Sequence, residues 1–157
     1  MRLMTFSRMA VHAHAEALAG LCAGGTLALF SGPVPLSPDE VIDGQIEAVR
    51  FQLGSPAFCE TDGEIMRGNP IAPAVVRRTT IVEFARLYSA AGEPVLDATF
   101  GTDARRAILL SPTVNFVAGT NVALDAFDVP LAGAWGRSFE NLRISTSQPP
   151  QMASGEA

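Results

Sequence analysis

The stretch VEFARLYSAAGEPVLDATFG, residues 82–101, decides the fold because two β-prone runs flank the turn-forming residues Ala-Ala-Gly-Glu-Pro. In the second run, Leu96, Ala98 and Phe100 alternate with the remaining residues, which is the period of two that a half-buried strand shows. These three side chains and Phe84 are predicted to fill a core. The stretch therefore predicts a β-hairpin with one wet or interfacial face.

The other notable residues of this hairpin fit a structural role. Gly92 permits the turn. Pro94 has no backbone N–H to donate to the sheet, and it lies at the start of the following strand. Arg86 and Asp97 are expected to pair across the strands, which would fix their register instead of performing chemistry. The pattern leaves the role of Tyr88 open.

Short β-prone runs recur on both sides of the hairpin, separated by Gly, Pro, Asn and Asp. Strands at this spacing indicate an all-β protein, and we predict a jelly-roll-like β-sandwich instead of alternating βα units. The apolar phase changes within the last strong run, so a β-bulge is expected near Asp125 or Ala126. The predicted strand runs are residues 26–31, 45–53, 63–66, 79–89, 94–101, 107–111 and 121–131, and the predicted loops are residues 31–45, 56–64 and 67–75.

Two further segments flank the predicted β-sandwich domain of residues 25–132. Residues 7–22 are rich in alanine and contain no proline, which predicts a helix within an N-terminal arm of residues 1–24. The sides of this helix are mostly alanine, so we expect it to lie against a sheet or a neighbouring subunit. Residues 133–157 form an extended C-terminal arm with one short predicted strand over 139–145, and we expect this arm to dock on a partner.

The composition restricts the partners that the chain can have. A net charge of −5 and a pI near 4.9 argue against nucleic-acid binding, and all 11 basic residues are arginine. Apolar residues make up 48% of the chain and charged residues only 17%, which predicts that other chains, including copies of this one, cover part of the surface. No apolar run approaches the ~20 residues of a membrane helix. Cys22 and Cys59 are predicted to be buried thiols.

No pattern of catalytic, cofactor-binding or metal-ligating residues stands out. His12 and His14 lie about 200° apart around the predicted helix, so they cannot face one metal ion, and a His12/Glu16 pair is typical of a solvated or interface position. No nucleophile elbow is present in the sequence. The glycines before the first strand follow a helix, whereas a phosphate-binding loop follows a strand. We therefore predict a protein that is not an enzyme.

Several turn and core motifs resemble those of a family of small structural proteins of tailed bacteriophages and prophages. An aromatic-Ser-Gly-x-x-Pro ending of a strand corresponds to Phe30 through Pro35. A strand with an aromatic residue, Arg, Leu and Tyr before a Gly-containing turn corresponds to Phe84 through Gly101, and a Val-rich strand after an Ala-Gly pair falls within Pro112 through Val129. The resemblance covers about residues 7–132.

The resemblance implies a decoration or cement protein that binds the shell of the major capsid protein. Its expected location is the capsid surface of the virion, and the chain is expected to be made in the host cytoplasm. A tail, baseplate or fibre-base component of the virion is an alternative, and a carbohydrate-binding module for host attachment is a further one. The helix, the proline-rich segment of residues 32–38 and the arm after Gly133 are then the expected contact elements. The candidate partner-interface residues are Met9, His12, Glu16, Pro33, Pro35, Trp135 and Phe139.

Overall fold

A computed structural model describes residues 7–62, 65–103, 109–111, 113–124, 129–130 and 144–147. These residues form one helix and mostly antiparallel strands, so the chain belongs to the all-β class. The helix α1 spans Arg8–Cys22. The strands are β1 Thr26–Phe30, β2 Glu47–Gln52, β3 Phe58–Asp62, β4 Ile65–Gly68, β5 Ala74–Val75, β6 Thr80–Ile81, β7 Phe84–Tyr88, β8 Pro94–Gly101, β9 Leu109–Leu110, β10 Asn115–Phe116, β11 Asn121–Leu124, β12 Val129–Pro130 and β13 Ile144–Ser147.

The central sheet has the strand order β2-β1-β7-β8-β9 and contains the predicted hairpin as β7 and β8. Among the strand pairs that the structure describes, only β8–β9 is parallel. Arg86 lies opposite Asp97 in the β7–β8 register, as predicted. Gly92 has a φ of 84°, and its N–H donates to the carbonyl oxygen of Ser89 at 2.9 Å, so the turn needs a residue that tolerates the left-handed region. The hairpin prediction is confirmed in its strands, its turn and its register.

The two faces of the central sheet have different neighbours. The first face carries Leu27, Leu29 and Leu87, which belong to the main core together with Phe100 and residues of the smaller sheets. The helix α1 packs on this core, with Ala15 and Cys22 buried. The second face carries a separate small cluster of Ala28, Phe30 and Phe84. Because successive side chains of a strand alternate between faces, β1 and β7 supply both clusters.

This alternation corrects the prediction that Phe84 shares a core with Leu96, Ala98 and Phe100. Phe84 lies opposite Thr99, so it points away from the face that carries Phe100. Its ring stacks on Phe30 instead, with the ring centroids 5.2 Å apart and the planes at 17°. The sequence pattern shows that both faces of β7 are apolar but not which face meets the main core.

The smaller sheets differ from the predicted strand runs. They have the orders β10-β6, β13-β11-β5 and β12-β4-β3. The run 79–89 is divided into β6 and β7, and the run 121–131 supplies β11 and β12, which belong to different sheets. The predicted bulge near Asp125 or Ala126 lies outside the described residues. The segment 56–64, predicted as a loop, contains the strand β3. This strand forms because it pairs with β4, and the local sequence of β3 does not indicate that pairing.

Two other expectations change with the structure. Cys22 is buried, but Cys59 is exposed, so the prediction of two buried thiols is wrong for Cys59. Cys59 lies at a register shift between β3 and β4, where the alternation of sides is interrupted. Within the predicted C-terminal arm, β13 pairs with β11 of the same chain from Asn121↔Ser147 to Leu124↔Ile144. Docking of the arm on a partner stays a prediction.

Candidate functional site

The segment between β1 and β2, residues 31–46, lies over the second face of the central sheet; we name it the proline loop. Its two ends are joined because Ser31 N donates to the carbonyl oxygen of Ile46 at 2.9 Å and Ile46 N donates to Ser31 Oγ at 3.0 Å. Gly32 N also donates to Glu83 Oε2 at 2.9 Å. The loop is therefore closed at its base and bonded to the residue before β7.

Hydrogen bonds within the proline loop hold its conformation. Leu36 N donates to Glu40 Oε1 at 2.9 Å, and Glu40 N donates to the carbonyl oxygen of Ser37 at 3.0 Å. The Gln45 side chain forms two bonds: its Nε2 donates to the carbonyl oxygen of Pro33 at 3.0 Å, and its Oε1 accepts from Asp43 N at 2.8 Å. Three prolines further restrict the backbone. This long segment is thus an ordered loop, as the sequence predicts.

A buried ion pair connects the proline loop to the central sheet. The Arg86 side chain is only 2% exposed and binds Asp97 with two bonds, Nε to Oδ1 at 2.6 Å and Nη2 to Oδ2 at 2.9 Å. Arg86 Nη1 donates to the carbonyl oxygen of Glu40 at 2.7 Å, and Nη2 reaches that of Ser37 at 3.5 Å. Hydrogen bonding to Asp97 raises the pKa of Arg86, so the guanidinium is charged at all ordinary pH values. One side chain therefore fixes both the strand register and the loop.

The proline loop directs one apolar side chain inward and others outward. Ile42 packs on the cluster around Phe30 and Phe84. Leu36 and Val41 are 98% and 82% exposed, and Val34 and Ile46 are partly exposed on the same loop. Large apolar side chains on a loop held by so many bonds form a surface suited to contact with another molecule.

A cleft of about 440 Å³ lies beside the proline loop. Its lining residues are Phe30, Ile42, Gln45, Glu47, Arg50, Arg77, Arg78 and Tyr88, and we name it the arginine cleft. Arg50 bonds Glu47 from Nε at 3.1 Å and from Nη2 at 2.6 Å, and its Nη1 donates to Thr26 Oγ1 at 3.0 Å. Its guanidinium carbon lies 4.6 Å from the centre of the Tyr88 ring. The hydrogen bond to Glu47 is the main reason that the pKa of Arg50 is raised.

These contacts give Tyr88, whose role the sequence leaves open, a defined position. Its ring packs against the cluster of Phe30 and Phe84 on one side and lies under the Arg50 guanidinium. A cation over an aromatic face is favourable and restricts the orientation of the cation. Tyr88 therefore forms a wall of the arginine cleft and holds Arg50 in place.

The predicted interface residues fall into separate groups. Met9, His12 and Glu16 are exposed on α1, with Met9 80% exposed and His12 Nε2 3.1 Å from Glu16 Oε1. Pro33 is exposed and Pro35 half-buried on the proline loop, which covers the opposite face of the central sheet from the core that α1 contacts. Trp135 and Phe139 lie outside the described residues. The described members do not form one patch.

Sequence patterns miss the most exposed apolar residues of the proline loop, Leu36 and Val41. The loop has neither the period of a strand nor that of a helix, so the direction of each side chain depends on hydrogen bonds that form only in the fold. The arginine cleft is missed for a similar reason, because Arg50 and Arg77 come from distant parts of the chain. The available sequence signal for this cleft is the adjacent pair Arg77-Arg78, with Glu83 as its acidic neighbour. In the structure, however, the Glu83 carboxylate accepts a hydrogen bond from Gly32 N.

The part of the chain that the structure describes contains no group of three or more His, Cys, Asp or Glu side chains that could hold a metal ion. No helix in the same residues is long and apolar enough to cross a membrane. Comparisons with protein-family models, with curated proteins and with solved structures found no match to this chain.

Proposed function

We propose that this chain is a non-enzymatic structural protein of a tailed-bacteriophage virion that binds the shell of the major capsid protein and stabilises it as a decoration or cement protein. The motifs from Phe30 to Pro35 and from Phe84 to Gly101 support this assignment through their resemblance to small virion proteins. In this proposal the strands form a jelly-roll-like β-sandwich, and the protein is located on the capsid surface.

The observation that carries the proposal is the proline loop. Its backbone is held by the buried pair of Arg86 and Asp97, while Leu36 and Val41 extend almost fully into solvent. An apolar surface that is already ordered loses little conformational entropy when a partner covers it. A protein that must clamp neighbouring subunits of a shell needs an exposed apolar surface of this kind.

The composition supports the same proposal. A low content of charged residues and a positive mean hydropathy of +0.24 are unusual for a surface that stays fully in water. When many copies bind a shell, part of this surface is covered on every copy. Such a role requires no catalytic site.

The location can be tested by measuring the protein composition of heads and tails separated from purified particles of the phage that encodes this chain. Hundreds of copies per particle in the head fraction would support a capsid decoration protein. A few dozen copies or fewer in the tail fraction would favour the tail or baseplate alternative. Absence of the chain from both fractions would refute a structural role in the virion.

The docking surface can be tested with the variant Leu36→Ser/Val41→Ser. Both side chains are exposed, so thermal stability should stay close to that of the original chain, because surface substitutions usually change stability by about 0.5 kcal/mol or less. Binding to heads that lack the protein should fall at least about tenfold, since two apolar contacts are lost. Val117→Ser is the matched control, because Val117 is an exposed apolar residue outside the proline loop, α1 and the C-terminal arm. Equal binding by the loop variant and the original chain would contradict the docking role of the proline loop.

A further inference from the structure

The arginine cleft contains two cations whose side chains have no partner among the described residues. Arg77 and Arg78 are exposed, and neither side chain forms a hydrogen bond or ion pair within the part of the chain that the structure describes. Glu83, the acidic residue nearest to them in sequence, is bonded to Gly32 N. Each guanidinium has five N–H donors, so this pair offers many unused donors at one side of the cleft.

The charge of the arginine cleft opposes that of the whole protein. Arg50, Arg77 and Arg78 contribute three positive charges, and Glu47 is the one acidic residue among the lining residues that the structure describes. The local net charge is therefore about +2, from three cations and one carboxylate, on a chain whose net charge is −5. Such a local reversal of sign attracts an anionic group and orients it toward this side of the molecule.

The arrangement of the arginines is largely preformed. Arg50 is held by Glu47, by Thr26 and by the ring of Tyr88. The backbone of the arginine pair is fixed to β2, because Arg77 N donates to the carbonyl oxygen of Ala48 at 2.8 Å. A ligand that enters the cleft therefore meets cations whose backbone positions are already set, and mainly the side chains of Arg77 and Arg78 must become ordered.

The volume and the lining of the cleft favour a peptide as the ligand. Its volume of about 440 Å³ is within the usual range for binding sites, and its lining includes the apolar side chains of Phe30 and Ile42. A carboxylate side chain can bind the guanidinium groups with two parallel bonds while its methylene groups and neighbouring residues contact these apolar side chains. A nucleic-acid backbone would bring many phosphates close to a chain of net charge −5, which is unfavourable.

We infer that the arginine cleft binds carboxylate side chains of an acidic peptide segment that belongs to a partner protein. The cleft adjoins the proline loop, because Ile42 and Gln45 belong to both. A partner that covers Leu36 and Val41 can therefore place an acidic segment beside Arg77 and Arg78. The inference rests on the proposed function only in the identity of that partner as a virion protein.

The test uses the full chain and a fluorescein-labelled hexaglutamate peptide, with binding measured by fluorescence anisotropy at low salt. Arg77→Gln and Arg78→Gln should each weaken binding about tenfold, because each removes charge-assisted hydrogen bonds to a carboxylate. Arg8→Gln is the matched control, since it removes one exposed arginine on α1 and should leave the affinity unchanged. Binding should also weaken as salt is added.

The inference would be overturned if the original chain did not bind the peptide or if the Arg77→Gln/Arg78→Gln variant bound it equally well. Tighter binding of an oligothymidylate of equal charge at the same arginines would overturn it too. Competition by inorganic phosphate at concentrations similar to those of the peptide would also overturn it, because the peptide would then add nothing beyond a single anion. Leu36→Ser/Val41→Ser should retain peptide binding. If the peptide fails to bind while head binding depends on Leu36 and Val41, the inference fails and the proposed function stands.

Discussion

Removal of one member of the buried Arg86–Asp97 pair is expected to destabilise the fold strongly. In Asp97→Ala, the Arg86 guanidinium loses both bonds to the carboxylate while it stays in a position that is only 2% exposed. An unpaired charge in such a position costs about 3–5 kcal/mol. For a chain of this size, about 1 kcal/mol corresponds to about 2–4 °C in Tm, so the expected decrease is about 6–20 °C.

Removal of both charges should have a smaller effect on stability. In Arg86→Met/Asp97→Leu no buried charge remains, and the free energy of unfolding should stay within about 2 kcal/mol of that of the original chain. The proline loop, however, loses the bond from Arg86 to the carbonyl oxygen of Glu40 in this variant. Backbone amides of residues 36–41 should therefore exchange hydrogen for deuterium faster even though the domain is folded.

Urea unfolding of Asp97→Ala and of Arg86→Met/Asp97→Leu, followed by circular dichroism, provides the free energies. Hydrogen exchange with mass spectrometry provides the loop measurement. A decrease of less than about 1 kcal/mol in the free energy of unfolding of Asp97→Ala would refute the role of the pair, because a buried unpaired cation costs more than this. A double variant as unstable as Asp97→Ala would show that packing, not charge, determines the effect. Unchanged exchange in residues 36–41 would show that Arg86 does not hold the loop.

Two further predictions concern single positions. Gly25→Ala should destabilise the fold by about 1–3 kcal/mol or more in thermal unfolding, because a Cβ there would overlap the carbonyl oxygen of Tyr88. Gly20→Ala has open space on α1 and should stabilise the fold by about 0.5–1 kcal/mol. Equal stabilities of the two variants would contradict the close approach at Gly25. A thiol reagent at pH 8 should modify Cys59 but not Cys22 in the folded chain, and mass spectrometry showing two modified cysteines would disprove the burial of Cys22. Burial raises the pKa of Cys22 from 9.0 to about 11, so the thiol loses its proton at lower pH in the unfolded chain than in the folded one. The free energy of unfolding should therefore fall as pH rises from about 9 to 11, and Cys22→Ala should lack this contribution.

The local pattern was sufficient to predict the hairpin of β7 and β8. Alternation of apolar residues, a glycine in the turn and opposite charges on facing positions are all properties of neighbouring parts of the chain. The pairing of Arg86 with Asp97 follows from this register, so it could be predicted before any tertiary contact was known. The helix α1 and the first strand were predictable for the same reason, since each depends on a short and uninterrupted pattern.

Strands that depend on distant partners were harder to predict. The segment containing β3 has turn-forming residues, and pairing with β4 makes it a strand. The run that supplies β11 and β12 looks like one strand in sequence, yet its two halves pair with different partners. Neither outcome follows from local propensity, because strand pairing is decided by hydrogen bonds and packing between separate segments.

The sequence by itself determined the all-β class, the central hairpin, the ordered proline loop and the charge pair that crosses β7 and β8. Only the tertiary structure decided that this pair also holds the loop through the carbonyl oxygen of Glu40, that Leu36 and Val41 face solvent, and that Arg50 comes together with Arg77 and Arg78. The physical reason is the range of the interactions. Periodicity and turn geometry act between neighbouring residues, whereas a surface or a cleft is formed by side chains that the fold brings together from distant positions.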